Sequence, residues 1–431
     1  VITLDDRGTI LKGVDILIEG KKIAGIGKVS GRITTVAKIN GKGLVAVPAF
    51  FNAHCHAPMT FERGWAEDLP LDRWFNERIW VAESALTEED VYWGAALAAC
   101  EMIRSGCAGF NDHYFYMDRV AEIVEKSGMK ATLAWCQFGI GRDKEIGADL
   151  PETLEFAKRW MGKGEGRIRT VLGPHSPYVC PPGFLKEISA EAKKNGLGLH
   201  IHVSESEQQV ANSLKTHGFT PVEHLARQGI FDVPCVAAHA LYLTDEDIGI
   251  LAEKSVSIAH CPITYMKLAM GVNDLAPLQK AGINIGIGTD GPGSNSDMDM
   301  KAAIRFTPLL QKFHTRNAEA LAGSLPLRMA TAGGARALGF AETGSIEVGK
   351  SADIALFDYS GPHLRPSHDL VANLVHSARG SDVQHLIIDG RLVMKNRKIL
   401  TLDEEKIKAE AHSRARLMVE KNLRVVREYH G

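Results

Sequence analysis

The sequence has few cysteines and no long apolar run, and each shortage excludes a class of protein. Its seven cysteines contain no C-x-x-C pair, so we expect neither a disulfide scaffold nor a metal ribbon. No apolar stretch reaches the ~18 residues that a membrane span requires. The start, Val1-Ile2-Thr3-Leu4, lacks the basic segment and apolar core of a secretory signal. These absences predict a cytoplasmic protein with reduced thiols and no membrane partner.

Charge is nearly balanced, with 50 Lys and Arg against 52 Asp and Glu. This balance provides no electrostatic footprint for nucleic acid, so we expect no nucleic-acid partner. A hydrophobic fraction of 45% and a charged fraction of 24% are average for globular proteins and exclude a disordered chain. The 431 residues exceed the ~250 that one α/β barrel uses, which leaves room for a second unit.

Strand patterns occupy both ends of the chain. Residues 13–24 alternate apolar and polar side chains around a Gly-Lys turn, which predicts an antiparallel hairpin. Strand patterns return in residues 344–358 and 383–391, and we expect them to pair with the N-terminal strands. We therefore predict a composite β-sandwich domain from residues 1–49 and 341–400. Residues 401–431 form the C-terminal segment, with a surface helix predicted over about 404–426.

Between these ends, apolar strand-like runs alternate with helical stretches. The predicted strands cover residues 45–54, 109–112, 131–135, 170–173, 197–202, 235–239, 256–260 and 283–290. Helices are predicted over residues 88–105, 154–162, 183–195 and 245–254. Eight β-then-α units predict the α/β fold class, with a (β/α)8 TIM-type barrel over residues 50–340. Many of the strands end in His or Asp, at the end of the barrel where such enzymes place their chemistry.

Two pairs of histidines have the spacing of metal ligands. His54 and His56 follow a buried strand, and at i and i+2 both imidazoles face the same side. An isolated pair of this kind is most often part of a polar loop, but the strand-end position favours a metal site. His200 and His202 share one face of a later strand, with Glu205 in the loop beyond. Spacing alone leaves open which of these two histidines binds a metal, whereas Glu205 is placed to exchange protons.

Asp290 ends the last apolar strand, and His239 and His260 end two others. Taken singly, each has a structural explanation, since an Asp at a strand end is often a turn residue. Together with the paired histidines, they suggest one site. His54, His56, His202 and Asp290 supply three nitrogens and one oxygen, which suits one divalent ion, Zn²⁺ with Fe²⁺ as the alternative.

At this point the sequence resembles the amidohydrolase superfamily, and most closely the S-adenosylhomocysteine/5′-methylthioadenosine deaminases and the related triazine hydrolases. The similarity begins at Phe51-Asn52-Ala53-His54-Cys55-His56-Ala57-Pro58-Met59-Thr60. It continues in order through residues 173–178, 202–205, 238–239, 260–262, 288–291 and 344–358, and so covers nearly the whole chain. The combination of segments is far more specific than any one of them.

The resemblance implies a role for each residue. His54, His56, His202 and Asp290 match the ligands of a mononuclear metal site, and residues 169–175 lack the lysine that bridges two metals in dinuclear relatives. Glu205 matches the acid that protonates the ring, and His239 the histidine that holds the water or substrate. Glu83 and His175 match substrate contacts.

One departure from the family concerns the substrate. Members that accept homocysteine place an arginine at the end of the third strand, where this chain has Trp135. Arg142 lies a few residues further on, in uncertain register. Loss of a charge-assisted contact weakens binding by one to two decades, or roughly 1.5–3 kcal/mol. We therefore expect uncharged substrates.

The sequence thus predicts a metal-dependent hydrolytic deaminase of an aminated purine or purine nucleoside, and a homo-oligomer as in much of the family. The alternative is a hydrolase of a triazine or pterin, for which Trp135 would be a stacking surface. A third hypothesis, a catalytically inactive scaffold, is disfavoured because the chain retains every ligand.

Overall fold

The computed structural model describes residues 1–29, 34–144 and 148–421. The strands in these ranges are β1 Asp15–Glu19, β2 Lys22–Gly27, β3 Leu44–Pro48, β4 Phe50–Cys55, β5 Cys107–Tyr114, β6 Lys130–Gln137, β7 Ile168–Pro174, β8 Gly198–Val203, β9 Cys235–His239, β10 Ser257–His260, β11 Ile285–Ile287, β12 Ile354–Asp358, β13 Val383–Ile388, β14 Arg391–Lys395 and β15 Lys398–Ile399.

The α-helices are Leu71–Trp74, Trp80–Glu83, Glu88–Arg104, Met117–Ser127, Leu150–Trp160, Pro182–Asn195, Glu207–His217, Pro221–Arg227, Asp245–Glu253, Pro262–Lys267, Leu275–Lys280, Pro292–Asn295, Met300–Thr315, Leu325–Arg328, Gly334–Ala337, Leu370–His376 and Glu404–Lys421. Short 3₁₀ helices cover Ala57–Glu62, Gly141–Lys144, Ile230–Asp232, Pro362–Leu364 and Gly380–Asp382. Phe75–Ile79 and Met329–Gly333 are π-helical, and Lys163–Gly166 forms a helical segment with left-handed residues inside.

Strands β4 to β11 form one parallel sheet in chain order, with helices between them. The sheet closes where the side chain of Asn52 bridges β4 and the end of β11. Asn52 Nδ2 donates to Thr289 Oγ1 at 2.7 Å, and Thr289 N donates to Asn52 Oδ1 at 3.0 Å. Next to it, Asp290 N donates to His54 O at 3.0 Å. The predicted (β/α)8 barrel is confirmed.

The helices begin where the sequence supplies caps. Thr87 and Thr244 each accept a hydrogen bond from the backbone three residues on, and the acidic residue there bonds back to the cap. The helices predicted at residues 88–105, 154–162, 183–195 and 245–254 are present within a few residues of these limits. The predicted C-terminal helix is present as Glu404–Lys421, and residues 422–426 lie outside the described part of the chain.

The predicted first strand, residues 45–54, is wrong as a single element. It is two strands that belong to different sheets, β3 in an antiparallel sheet and β4 in the barrel, separated at Ala49. Pro48 ends β3, Ala49 N still donates to Asp353 O at 3.0 Å in register with β12, and Phe50 N then donates to Gly106 O at 3.0 Å, beside β5 of the barrel. A continuous apolar run conceals this break, because both strands are buried.

The second unit is built from both ends of the chain. β3 pairs antiparallel with β12, and the sheet continues through β13 and β14 to β15. The hairpin β1–β2 is attached by hydrogen bonds from Ile23 N to Lys350 O and from Ala352 N to Lys21 O. Buried side chains of both ends form its small core, Ile23, Ala46, Ile346, Ala352 and Ile354. We propose residues 1–49 with 341–400, residues 50–340 and residues 401–431 as the domain boundaries.

In the described ranges, every helix is too short or too polar to cross a lipid bilayer.

A buried charge cluster connects the barrel to the β unit and generates a stability prediction. Lys130 Nζ on β6 lies 2.6 Å from Asp353 Oδ2 and 2.6 Å from Asp389 Oδ1. Lys130→Met leaves two acidic groups without their cation, so we expect a loss of about 3–5 kcal/mol in the free energy of unfolding, measured by urea denaturation. The matched control is Lys408→Met, which removes an exposed ion pair to Glu405 and should leave stability essentially unchanged. Equal midpoints for the two variants would contradict this role of Lys130.

Candidate active site

A cavity opens at the carboxyl end of the barrel and contains most of the predicted site residues. It has about 600 Å³ of empty space, including its open mouth. The predicted residues that line it are His56, Glu83, His175, His202, Glu205, His239 and Asp290. His54 is fully buried at its base.

Four side-chain atoms converge at the base of the cavity. Asp290 Oδ1 lies 3.3 Å from His54 Nε2 and 3.2 Å from His56 Nε2. His202 Nε2 lies 3.4 Å from His56 Nε2. Two atoms that each bind Zn²⁺ at about 2.0–2.1 Å in a tetrahedral arrangement are roughly 3.3 Å apart. Three of the separations among these four atoms therefore match those around one tetrahedral ion.

Hydrogen bonds on the far side of each imidazole orient these nitrogens. His56 Nδ1 donates to the backbone oxygen of His113, and His202 Nδ1 donates to that of His175 at 2.8 Å. Because a carbonyl oxygen only accepts, Nδ1 carries the proton in the neutral form of both rings, and Nε2 is the nitrogen that can offer its lone pair to a metal. His54 Nδ1 lies 2.9 Å from His200 Nε2, and His54 Nε2 is buried without a hydrogen-bond partner.

The protonation states of the four convergent residues would also suit a bound cation. Burial lowers the pKa of His54 to about 3 and that of His202 well below its usual value, so both are neutral at pH 7. Burial opposes ionisation of Asp290, but the imidazoles of His54 and His56 outweigh it and hold the pKa of that carboxyl well below its usual range. Burial also lowers the pKa of His56, yet the neighbouring Asp290 raises it to about 8 overall. A divalent cation would replace that proton as the partner of Asp290.

Glu205 is positioned by the helix that follows it. Ser206 caps the helix Glu207–His217, and Gln209 Oε1 accepts hydrogen bonds from Glu205 N at 3.0 Å and from Ser206 N at 3.1 Å. The Tyr178 hydroxyl donates to Glu205 Oε2, and His239 Nε2 lies 3.7 Å from Glu205 Oε1. A carboxyl group, an imidazole and the four convergent atoms thus surround one space.

Two predicted substrate contacts lie further up the cavity wall. Glu83 ends the short helix Trp80–Glu83 beside Tyr114. Burial, the nearby carboxylates of Glu83 and Glu62, and a hydrogen bond between the hydroxyl and Glu83 raise the pKa of Tyr114. His175 follows β7, and its ring stacks on Phe138 with the centroids 5.3 Å apart.

The structure places Trp135 differently from the prediction. The prediction places it against the substrate, but it lies outside the cavity lining, and its ring packs edge-on against Phe156 at 5.4 Å on the outer side of β6. The next residue, Cys136, lines the cavity instead, because successive side chains of a strand point to opposite faces. The side chain of Arg142 lies outside the described residues. His260, another strand-end histidine, packs beside Tyr265 with the centroids 5.1 Å apart and does not line the cavity.

Sequence reasoning missed several residues of the site. His113 lines the cavity from the end of β5, and the predicted strand stopped one residue before it. An aromatic wall was also missed, formed by Trp74, Phe75, Trp80, Phe115 and Phe138. The strand-end rule applied to Asp290 would have found His113, whereas nothing in the local pattern distinguishes the wall from core.

Comparison with known proteins agrees with this geometry. The model of the amidohydrolase family matches residues 45–393. The chain is 44% identical over 422 residues to a 5-methylthioadenosine/S-adenosylhomocysteine deaminase of Pelotomaculum thermopropionicum, covering 97% of each chain. It is 44% identical over 384 residues to the enzyme of the same name from Dictyoglomus thermophilum, covering 89% of this chain and 90% of the relative.

Two solved structures are similar over nearly their whole length. An adenosine deaminase from Xanthomonas campestris with bound zinc superposes with a TM-score of 0.89 at 32% identity, covering 95% of each chain. The atrazine chlorohydrolase of Arthrobacter aurescens superposes with a TM-score of 0.85 at 24% identity, covering 96% of this chain and 98% of that one, and supports the fold alone. With a family match over most of its length and close relatives along all of it, this chain belongs to the amidohydrolase family.

Proposed function

We propose that this amidohydrolase removes the 6-amino group of an adenosine-type nucleoside with an uncharged 5′ substituent, such as 5′-methylthioadenosine, and releases ammonia. The curated relatives at 44% identity are named as deaminases of 5-methylthioadenosine and S-adenosylhomocysteine, and the choice between such nucleosides is our proposal. The observation that carries it is the convergence of three imidazoles and one carboxylate beside Glu205 and His239.

We assign the ligands to His54, His56, His202 and Asp290 and the ion to Zn²⁺. The orphaned, buried Nε2 of His54 and the near-tetrahedral spacing of the four atoms support this assignment. The zinc named with the Xanthomonas campestris adenosine deaminase supports Zn²⁺ over Fe²⁺. When bound there, the ion would supply a hydroxide nucleophile near pH 7.

The chain's own residues divide the proton transfers. Asp290 accepts the proton of the attacking water and delivers it to the departing ammonia, and Ser294 Oγ, donating to Asp290 Oδ2 at 2.9 Å, steadies the carboxylate. Glu205 donates a proton to N1 of the purine, which neutralises the charge that develops in the ring as C6 is attacked, and it regains a proton when the C6 hydroxyl of the adduct loses its own to form the carbonyl. His239 holds the attacking oxygen beside Glu205.

The upper cavity accounts for the proposed substrate. The aromatic wall accepts a flat purine, and the Glu83 carboxylate is placed to accept hydrogen bonds from a ribose hydroxyl. Among the described residues, the lining includes three acids and no Lys or Arg. A homocysteine carboxylate would lose its hydration there without gaining a cation, which favours uncharged 5′ groups.

The argument for a triazine or pterin substrate depended on Trp135 as a stacking surface. The Trp135 ring packs outside the cavity, so this argument no longer applies. The aromatic wall suits any flat ring and does not discriminate between the substrates.

We further propose a homo-oligomer in the cytoplasm. Phe306, Leu309 and Phe313 are exposed along the helix Met300–Thr315, which supports association with a second copy. The cysteines at positions 55, 100, 107, 136, 180, 235 and 261 are buried and unpaired, as in a reducing compartment.

The assignment of the metal ligands predicts different results for substitution of His202 and His200. His202→Ala removes a proposed ligand and should abolish both activity and bound metal. His200→Ala removes only the partner of His54 Nδ1, so metal should remain at saturation with an affinity weakened by ~10–100-fold. Metal content after gel filtration and a chelator titration measure the two effects. Equal metal loss in both variants would show that the wrong histidine of β8 was assigned.

The role of Glu205 is tested by a nearly isosteric change. Glu205→Gln should keep the fold and the metal, because the four ligands are untouched, while turnover falls by ~10²–10⁴. The matched control is Glu207→Gln, an exposed acid two residues away, which should retain normal turnover. Ammonia release and metal analysis on the same samples give both readouts. Full turnover in Glu205→Gln would exclude it as the proton donor.

The substrate preference is measured as kcat/KM for ammonia release from two nucleosides. We expect 5′-methylthioadenosine to exceed S-adenosylhomocysteine by about one to two decades, because only the second carries a carboxylate that must be desolvated. A value for S-adenosylhomocysteine equal to or above that for 5′-methylthioadenosine would place a cation in the cavity. If neither is turned over, a panel of triazines and pterins tests the alternative.

A further inference from the structure

A second cavity enters the barrel from the opposite, amino-terminal end. It has about 1310 Å³ of empty space, including its open mouth. The interior of such a barrel is normally filled by layers of side chains. Here the cavity is lined by Gly198 and His200 of β8, and it therefore extends up to His200.

The charged side chains described in the wall of this cavity are all positive. Arg169 on β7 and Arg336 in the helix Gly334–Ala337 both line it, and no Asp or Glu is among the described residues of its wall. Neither guanidinium forms an ion pair within the described ranges. The Arg169 side chain lies across the turn after Arg336, with its guanidinium 5.2 Å from the centre of the Phe340 ring. Two cations at one entrance without a counter-ion favour an anionic ligand.

Deeper in the cavity lie polar groups that the protein leaves partly unpaired. His200 lines it and is almost fully buried, and its Nδ1 has no hydrogen-bond partner among the described residues. When His54 Nδ1 donates to His200 Nε2, the proton of His200 must be on Nδ1, which makes that atom a donor. Ser257 Oγ accepts from Asn284 Nδ2 at 3.0 Å, so its own hydroxyl proton is free to be donated.

We propose that this amino-terminal cavity is a binding site for a small oxyanion, a phosphate or a carboxylate, held by Arg169 and Arg336. Guanidinium groups present paired N–H donors that match the oxygens of such anions. At the inner end of this cavity, His200 Nε2 lies 2.9 Å from Nδ1 of His54, a proposed metal ligand. This proposal is independent of the proposed deaminase activity.

The test is isothermal titration calorimetry of the full chain, loaded with zinc, with inorganic phosphate as the probe and acetate in a parallel arm. We expect saturable binding that Arg169→Gln and Arg336→Gln each weaken tenfold or more, since each removes one charge-assisted contact. Arg316→Gln, an exposed arginine away from both cavities, is the matched control and should bind as the wild type does. The stronger of the two arms shows whether phosphate or carboxylate is preferred.

Phosphate could instead bind at the metal, and a fourth variant distinguishes this. In His202→Ala, which lacks a proposed metal ligand, binding at the amino-terminal cavity should persist. Binding that is lost in His202→Ala but unchanged in both arginine variants overturns the proposal, as does the absence of saturable binding of either anion. Because no turnover is measured, failure of this proposal and failure of the proposed function are separate results.

Discussion

Hydrogen bonds from the Nδ1 atoms of three histidines to groups on other barrel strands determine the active site. His56 is held by a carbonyl of β5, His202 by the carbonyl that follows β7, and His54 by the imidazole of His200 on β8. Each bond fixes the ring and leaves Nε2 facing the cavity. Because the acceptors belong to other strands, the geometry of the ligands depends on the register of the whole barrel. The closure through Asn52 and Thr289 matters for the same reason, since it brings Asp290 next to His54.

The site also contains local strain that the barrel must support. Ser204, His239 and Asp290 all have positive φ angles, of 49°, 72° and 65°, in the left-handed region that non-glycine residues rarely adopt. Such residues cost of order 1–3 kcal/mol each and cluster at functional sites. All three lie at or just beyond strand ends, where the chain turns sharply while a functional side chain is directed into the cavity. The packed strands and helices around them offset this cost.

The residues proposed to select the substrate and those proposed to carry out the reaction lie in different parts of the chain. The residues proposed as metal ligands and proton-transfer groups lie on barrel strands or directly after them, on rigid elements. Much of the aromatic wall comes from residues 71–83, a segment of short helical turns between β4 and the helix Glu88–Arg104. This segment can vary without disturbing the ligands, so related barrels can accept different rings at the same metal centre. Among the described residues, the wall of this cavity contains no Lys or Arg.

The sequence by itself determined the periodic features. Alternation at i and i+2 placed His54 with His56, and strand ends marked His202, His239 and Asp290, because side-chain direction follows from strand geometry alone. Tertiary structure decided what depends on neighbours. The apolar run of residues 45–54 divides between two sheets at Ala49, since each half finds a different partner strand. Trp135 faces outward and Cys136 inward because the pairing of β6 with β5 and β7 sets which face meets the cavity. His200 is identical in type to His202, and only its contact with His54 makes it the orienting residue.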